Sequence, residues 1–432
     1  MKIGRIGRVG VVGVALALAL TGCVGEGSDS DNGAVEILGD IGGPEGKQLE
    51  KALEEISKET GIKINYQAPK DFATVIRSRV QGGNAPDIAL FPQPGLLQDV
   101  AAGGAVTPLE DAGVDVKSLE SSLVPGILDA TKKDGKTLGA PIRLAVKSLV
   151  WYPKKAFEKA GYQVPKTHAE LIALTDRIKA GGTTPWCIGI ESEDSTGWVA
   201  TDWIEDYVLR SAGPEAYDQW TSHQIPFNDP KIKKAAEYFQ QIALTPGNVL
   251  GGNAGILNTP FGKAANPMFD EKPGCYFNRI SDFITSLFPD KVKADLSGEV
   301  GVFVLPPVEG GAVQGNSIVG GGDLASLMNP NNDNAKKVLQ KLTASTFGTA
   351  AIKDGGWISP HKSFDASQYP SETTKQIATL ALSAQAFRFD GSDLMPAEVG
   401  AGTFWKGMVA WISGQQNLNQ TFDGIESSWP KK

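Results

Sequence analysis

"GAPIRLAVKSLVWY", residues 139–152, separates two series of alternating strand-like and helix-like segments. Upstream, "AVEILGDI" (34–41) reads as a strand. Pro44 and Glu45 then open a helix with Leu49, Leu53 and Ile56 at i, i+4, i+7, which Gly61 ends. "IKINYQ" (62–67) alternates as a strand, and Asp71 caps a helix carrying Phe72, Val75 and Ile76 that stops at Gly82-Gly83. "DIALF" (87–91) reads as a buried strand. Downstream the alternation restarts. Thr167 and Glu170 have the T-x-x-E spacing of a capping box ahead of Leu171, Leu174 and Ile178. "CIGIES" (187–192) is the next expected strand, and Thr196 is the expected cap of a helix through "GWVATDWIEDYVLR". Asp229-Pro230 starts another helix, with Ile232, Ala235, Phe239 and Ile242 on one face. "VGVFVLPP" (300–307) reads as a strand, followed by "GNSIVGGGDLASLM" and the helix "AKKVLQKLTA". Strands alternating with helices of this length predict an α/β fold with parallel βαβ units. About 410 residues beyond the N-terminal segment exceed one hydrophobic core, so two domains are expected.

That N-terminal segment reads as an export signal. Lys2, Arg5 and Arg8 precede a run from Val9 to Leu20 that is apolar apart from glycines. The run is shorter than the roughly 20 residues a spanning helix needs, and the pattern is that of a secretory signal peptide. Leu20-Thr21-Gly22-Cys23 resembles the bacterial lipobox, which implies lipidation of Cys23. "VGEGSDSDNGA" after it has the composition of a flexible tether. Residues 1–22 are therefore expected as signal peptide and 23–33 as tether, holding the protein to the outer face of a bacterial cytoplasmic membrane through lipid alone.

The formal charge is −8, and removing three cations with residues 1–22 leaves −11. An acidic surface argues against nucleic acid and anionic headgroups as partners. Two cysteines remain, Cys187 and Cys275. An oxidising compartment favours a disulfide between them, the other reading being two separate buried thiols. His168, His223 and His361 are far apart, so no metal site is suggested, and no cofactor motif is present.

Trp151-Tyr152, Trp198, Trp203, Trp357 and Trp405 fall at strand ends, helix starts or glycine-flanked turns. Loops at the carboxyl ends of strands are where open α/β folds bind ligands. Aromatic faces beside short polar side chains suit a sugar; core packing is the other reading of each ring. Glu191, Glu193 and Asp194, and then Asp202, Glu205 and Asp206, form two acidic groups. A glycoside hydrolase would need two such acids facing across a cleft, whereas a solvated acidic helix face needs nothing. No G-x-S-x-G, H-E-x-x-H or phosphate-loop motif occurs.

The chain resembles the extracellular solute-binding proteins of ABC importers, in the sugar-binding family that includes maltodextrin and α-glucoside binders. "LTGC", "PDIALFPQPGLL", "GAPIRLAVKSLVWYPKKAFEKAG", "VPKTHAELIAL", "TGWVATDWIED", "EVGVFVLPP" with "VGGGDLASLM", and "GGWISPHK" carry the likeness, in the family's order. The resemblance implies a two-lobe periplasmic-binding-protein-like fold of type II, with a hinge and a ligand cleft. Lobe 1 would comprise 34–143 plus 300–345, and lobe 2 would comprise 148–296 plus 350–432. "GAPIRLAV" would be one crossing, and the stretch before "EVGVFVLPP" another.

A membrane-tethered monomer would capture a sugar such as an α-glucoside and present it, lobes closed, to the permease subunits. From the family pattern the ligand contacts would be Asp71, Phe91, Gln93, Trp151, Tyr152, Trp198 and Asp202. Arg279 would add a bidentate donor to vicinal hydroxyls. Gly322 and Asp323 would stand where a glycine-rich loop meets the cleft, with Trp357, Asp390 and Trp405 completing the set. The competing functions are a secreted glycoside hydrolase and a binder of another polar solute, such as a polyamine or glycerol phosphate. A phosphate ligand generally needs a basic cleft or exposed helix N-termini, which the acidic balance disfavours.

Overall fold

The computed structural model describes residues 33–353 and 357–431. The expected signal segment, Cys23 and nearly all of the expected tether lie outside them. Among the described residues no helix is long and apolar enough to cross a membrane.

The first five-stranded sheet has the order Ile64–Gln67, Val35–Leu38, Ile88–Phe91, Leu324–Leu327, Ala140–Pro141. Its first three strands are parallel, linked by the helices Gly43–Thr60 and Phe72–Gln81, as the alternation predicts. Leu324–Leu327 runs antiparallel to both of its neighbours. A four-stranded sheet orders Val300–Val304, Leu149–Pro153, Cys275–Arg279, Thr184–Trp186. Between them a three-stranded sheet orders Ala386–Phe389, Ser317–Gly321, Ala145–Val146. The opening stretch therefore threads all three sheets in turn, through Ala140–Pro141, Ala145–Val146 and Leu149–Pro153. The second passage lies between Ser317–Gly321 and Leu324–Leu327.

Several details differ from the sequence reading. Val300–Val304, expected with the first lobe, pairs along its whole length with Leu149–Pro153 in the four-stranded sheet. The short helix Thr349–Ile352, whose residues from 350 were expected in lobe 2, packs on Gly43–Thr60. The strand expected at 187–192 forms earlier, at Thr184–Trp186, where Cys275 and Phe277 offer a parallel edge. Beyond Trp186 the Cys187 amide still bonds the Phe277 carbonyl at 2.7 Å. Ile190 and Glu191 then turn to the carbonyls of Ile256 and Thr259, and the ladder ends.

Thr196 is not the helix cap. Its hydroxyl donates to the Glu193 carbonyl at 2.7 Å and accepts from the Ser192 amide at 3.0 Å, so it closes the preceding turn. Gly197, at φ 122°, holds the cap position of Trp198–Ser211 instead. The Thr167 hydroxyl does cap His168–Ala180, accepting from the Glu170 amide at 3.2 Å, while the Glu170 carboxylate reaches back to the Lys166 amide.

Helices Trp198–Ser211 and Pro230–Ala243 interlock through their apolar faces, and Trp203 of the first packs on Trp186 of the four-stranded sheet. Ile232, Ala235, Phe239 and Ile242 are all fully buried, as their spacing predicts. Cys187 and Cys275 are bonded in this core, with Cα atoms 5.7 Å apart.

A cleft between two lobes, floored by buried charge

A cleft of about 440 Å³ opens between elements of the two large sheets. One wall comes from segments that follow strands of the first sheet: Asp40, Lys70, Asp71, Phe72, Pro92, Gln93. The other wall carries Ser192, Ser195, Trp198, Phe261, Asp393 and Trp405. Both sets sit at strand ends and helix starts, where ligands bind in open α/β folds. Asp71 caps the helix Phe72–Gln81 by accepting from the Thr74 amide at 3.1 Å. That bond holds its carboxyl below the usual range, so it faces the cleft ionised. Gln93 donates to Asp393 at 3.0 Å, a hydrogen bond that joins the two walls.

Lys147, from the middle of the opening stretch, also lines the cleft, its ammonium 5.4 Å from the centre of the Trp198 ring. The ammonium pairs with Asp202 at 3.3 Å and, more closely, with Asp390. Burial works against its charge, but Asp202 and Asp390 outweigh burial and hold its pKa well above the ordinary lysine value. Asp202, Glu205 and Asp390 bring carboxylate oxygens within 4.8 Å of one another, a spacing that would suit a cation. The lysine ammonium itself meets two of these three acids. Burial pushes Asp202 and Glu205 strongly toward the protonated form, while Lys147 keeps Asp390 ionised against its own burial. Asp393 is raised to about 8 by burial and by the neighbouring Asp390. Beneath this floor Arg279 pairs with Asp206 at 2.8 Å and lies over the Trp203 ring, and Arg210 also binds Asp206.

Of the residues singled out from the sequence, the fold brings Asp71, Gln93, Trp198 and Trp405 to the cleft surface. Asp202 and Asp390 lie one layer down, reaching it through Lys147. The others occupy lobe interiors or the crossings. Phe91 packs edge-on against Phe72 in a satellite core. Trp151 is fully buried, donating its indole N–H to the Ile280 carbonyl at 2.8 Å. Tyr152 packs on Phe157, with ring centres 4.4 Å apart. Arg279 serves the buried Asp206 and Asp202. Gly322 lies against the Arg143 carbonyl, and Asp323 binds the Arg143 guanidinium, which also reaches Glu45 at 2.7 Å. Trp357 is buried with that guanidinium 5.5 Å from its ring. This second charged cluster therefore ties both crossings to the first lobe.

Lys147, Phe261, Asp393, Asp40, Lys70 and the three serines Ser192, Ser195 and Ser392 were not singled out. A lysine between the short strands Ala145–Val146 and Leu149–Pro153, in a mainly apolar stretch, was the available signal for Lys147. Phe261 and Asp393 offered none stronger than a neighbouring glycine or aspartate.

The profile of the bacterial extracellular solute-binding protein family matches residues 42–346. The osmoprotective compounds-binding protein GgtB of Synechocystis sp. is 40% identical over 416 residues, 96% of this chain and 97% of that protein. The alpha-glucosides-binding periplasmic protein AglE of Rhizobium meliloti is 35% identical over 411 residues, 94% and 88% of the two chains. Among solved structures, the solute receptor AcbH superposes with a TM-score of 0.76 at 17% identity, covering 92% of this chain and 98% of its own. A chitin oligosaccharide binding protein superposes at 0.74 and 20% identity, covering 91% and 97%. These two establish the shared two-lobe fold. With the profile spanning most of its length and a relative matched almost end to end, the chain belongs to the bacterial extracellular solute-binding protein family.

Proposed function

We propose that the protein captures a small neutral carbohydrate, an α-glucoside or a related glycoside, in the cleft and hands it unaltered to an ABC permease. The observation that carries this reading is the opposition of Trp198, Phe261 and Trp405, with Ser192 and Ser195 beside them, on one wall to Asp40, Asp71 and Gln93 on the other. Ring faces take the C–H faces of a pyranose while carboxylates and amides take its hydroxyls. The floor supports a neutral guest, because the lysine charge is already matched by the ionised Asp390, with Asp202 as a second partner. The name of one relative, an α-glucosides-binding periplasmic protein, agrees with that class.

Binding without turnover fits the same geometry. The acids flagged as hydrolase candidates on helix Trp198–Ser211 are committed: Asp202 to Lys147, Asp206 to Arg210 and Arg279, and Glu205 to the amides of Gly391 and Ser392. Ligand bridging both walls would shift the open–closed equilibrium by its differential affinity, with Lys147 and the Arg143 cluster as fixed points beside the crossings. We take the binding unit as a monomer of two lobes, exported and tethered through a lipidated Cys23. A tether raises its local concentration at the permease.

Titrating the purified protein with mono- and oligosaccharides tests the reading. Tryptophan emission should change and the melting temperature should rise for at least one of them, with no release of product. Flat emission and unchanged melting across the panel would reject it.

A further inference from the structure

The aromatic wall is assembled through backbone contacts at two glycines that do not themselves line the cleft. A Cβ built on Gly197 would lie 2.4 Å from the Trp405 carbonyl oxygen and 2.8 Å from its carbonyl carbon and Cα, at a φ of +122°. The Trp405 main chain thus sits against the start of helix Trp198–Ser211 at a distance that any side chain would forbid. Gly400 lies in the π-helical segment Glu398–Phe404 that leads into Trp405. A Cβ there would lie 1.9 Å from the Ser392 carbonyl oxygen. Ser195 to Trp198, Ser392-Asp393 and Ala401 to Trp405 all supply cleft-lining side chains. The two glycines join these three stretches main chain to main chain. Extra residues in a helix turn of this kind recur at functional sites, and here the wide turn precedes the aromatic residue that reaches the cleft.

We propose that Gly197 and Gly400 are positioning residues of the ligand site, setting the separation at which Trp198 and Trp405 engage one guest. The inference rests on the carbohydrate reading above. A binding constellation tolerates displacements of only about 0.5 Å. Ordinary contact begins at 3.4 Å, so a methyl group at Gly197 forces the Trp405 backbone away by about 1 Å. Both rings cannot then meet the ligand as before.

Gly213 supplies the control. Its φ is +92°, an added Cβ would meet the Ala312 methyl at 2.9 Å, and it caps helix Pro214–Thr221 outside the cleft. Gly197→Ala, Gly400→Ala and Gly213→Ala are compared with the unmodified protein for melting temperature and for affinity toward its best sugar. All three should melt lower. Gly197→Ala and Gly400→Ala should bind at least about tenfold more weakly, and Gly213→Ala within about twofold of the parent. In a Trp405→Ala background, Gly197→Ala should cost less affinity than in the parent, since the Trp405 ring whose distance it sets is gone while the main-chain contact remains. Gly400→Ala, at an ordinary backbone angle, decides the question where Gly197→Ala does not fold. Folded Gly197→Ala and Gly400→Ala proteins that bind like the parent, or a loss equal to that of Gly213→Ala, overturn the proposal. A parent protein that binds no carbohydrate rejects the underlying reading instead.

Discussion

Helix Trp198–Ser211 carries two tryptophans with opposite fates. Trp198, at its first position, is half-buried and faces the cleft, meeting Phe261 at 5.2 Å and the Lys147 ammonium. Trp203, five residues on and so on another face, is fully buried between Trp186, Tyr207 and Phe239. The same residue type serves recognition at a helix start and packing in a helix middle. The first residue of the helix lines the cleft, while Trp203 in its middle packs on Trp186 of the four-stranded sheet. Chemistry is therefore assigned by position along the helix, not by residue identity.

The largest effect should separate the two roles outright. Trp203→Ala should cost about 3–5 kcal/mol in chemical denaturation, the range for truncating a large buried ring. Its ligand affinity, measured on the folded fraction, should change little; a large affinity loss at near-parent stability would reverse the assignment. Next comes the crosslink of the same core. Cys187 and Cys275 close a loop with a separation of 88 residues. Replacing both by serine should lower stability by about 2–4 kcal/mol. Sugar binding by the folded protein should persist, because neither residue reaches the cleft.

Trp198→Ala and Trp405→Ala should show the converse. Each should weaken sugar binding by about 2 kcal/mol, roughly thirtyfold, in calorimetric titration, with a smaller fall in melting temperature than Trp203→Ala. Equal melting losses for Trp198 and Trp203 would erase the distinction.

The last effect concerns pH. Asp393, facing Gln93, Asp390 and Lys147, has its pKa raised from 3.8 to about 8. The folded protein thus holds a proton there that the unfolded chain releases near pH 4. The stabilisation from this group is complete below pH 4 and declines as pH rises toward 8. Asp393→Asn should flatten that part of the melting-temperature profile. An unchanged slope would place the titration elsewhere.

Much of the architecture was legible before any coordinates. Leu49, Leu53 and Ile56, or Ile232, Phe239 and Ile242, declare one buried face each, and these faces are buried as expected. Alternation on either side of residues 139–152 announced α/β units, and local periodicity suffices because each element must hide its own apolar stripe; that this stretch is a crossing came from the family resemblance. The cleft was legible only where a residue both begins an element and has a recognisable chemistry, as with Asp71, Gln93, Trp198 and Trp405.

Sequence order by itself determined most of the segments, their buried faces, the one cysteine pair available for a disulfide and the net acidic charge. Only the tertiary structure decided that Val300–Val304 pairs with the second lobe's sheet, that Trp151 and Trp357 are interior, and that Lys147 balances Asp202 and Asp390. Strand partners and buried charge partners are settled by which edges and ions meet in space. Lys147 and Asp390 stand 243 positions apart along the chain, and no local pattern encodes a contact of that span.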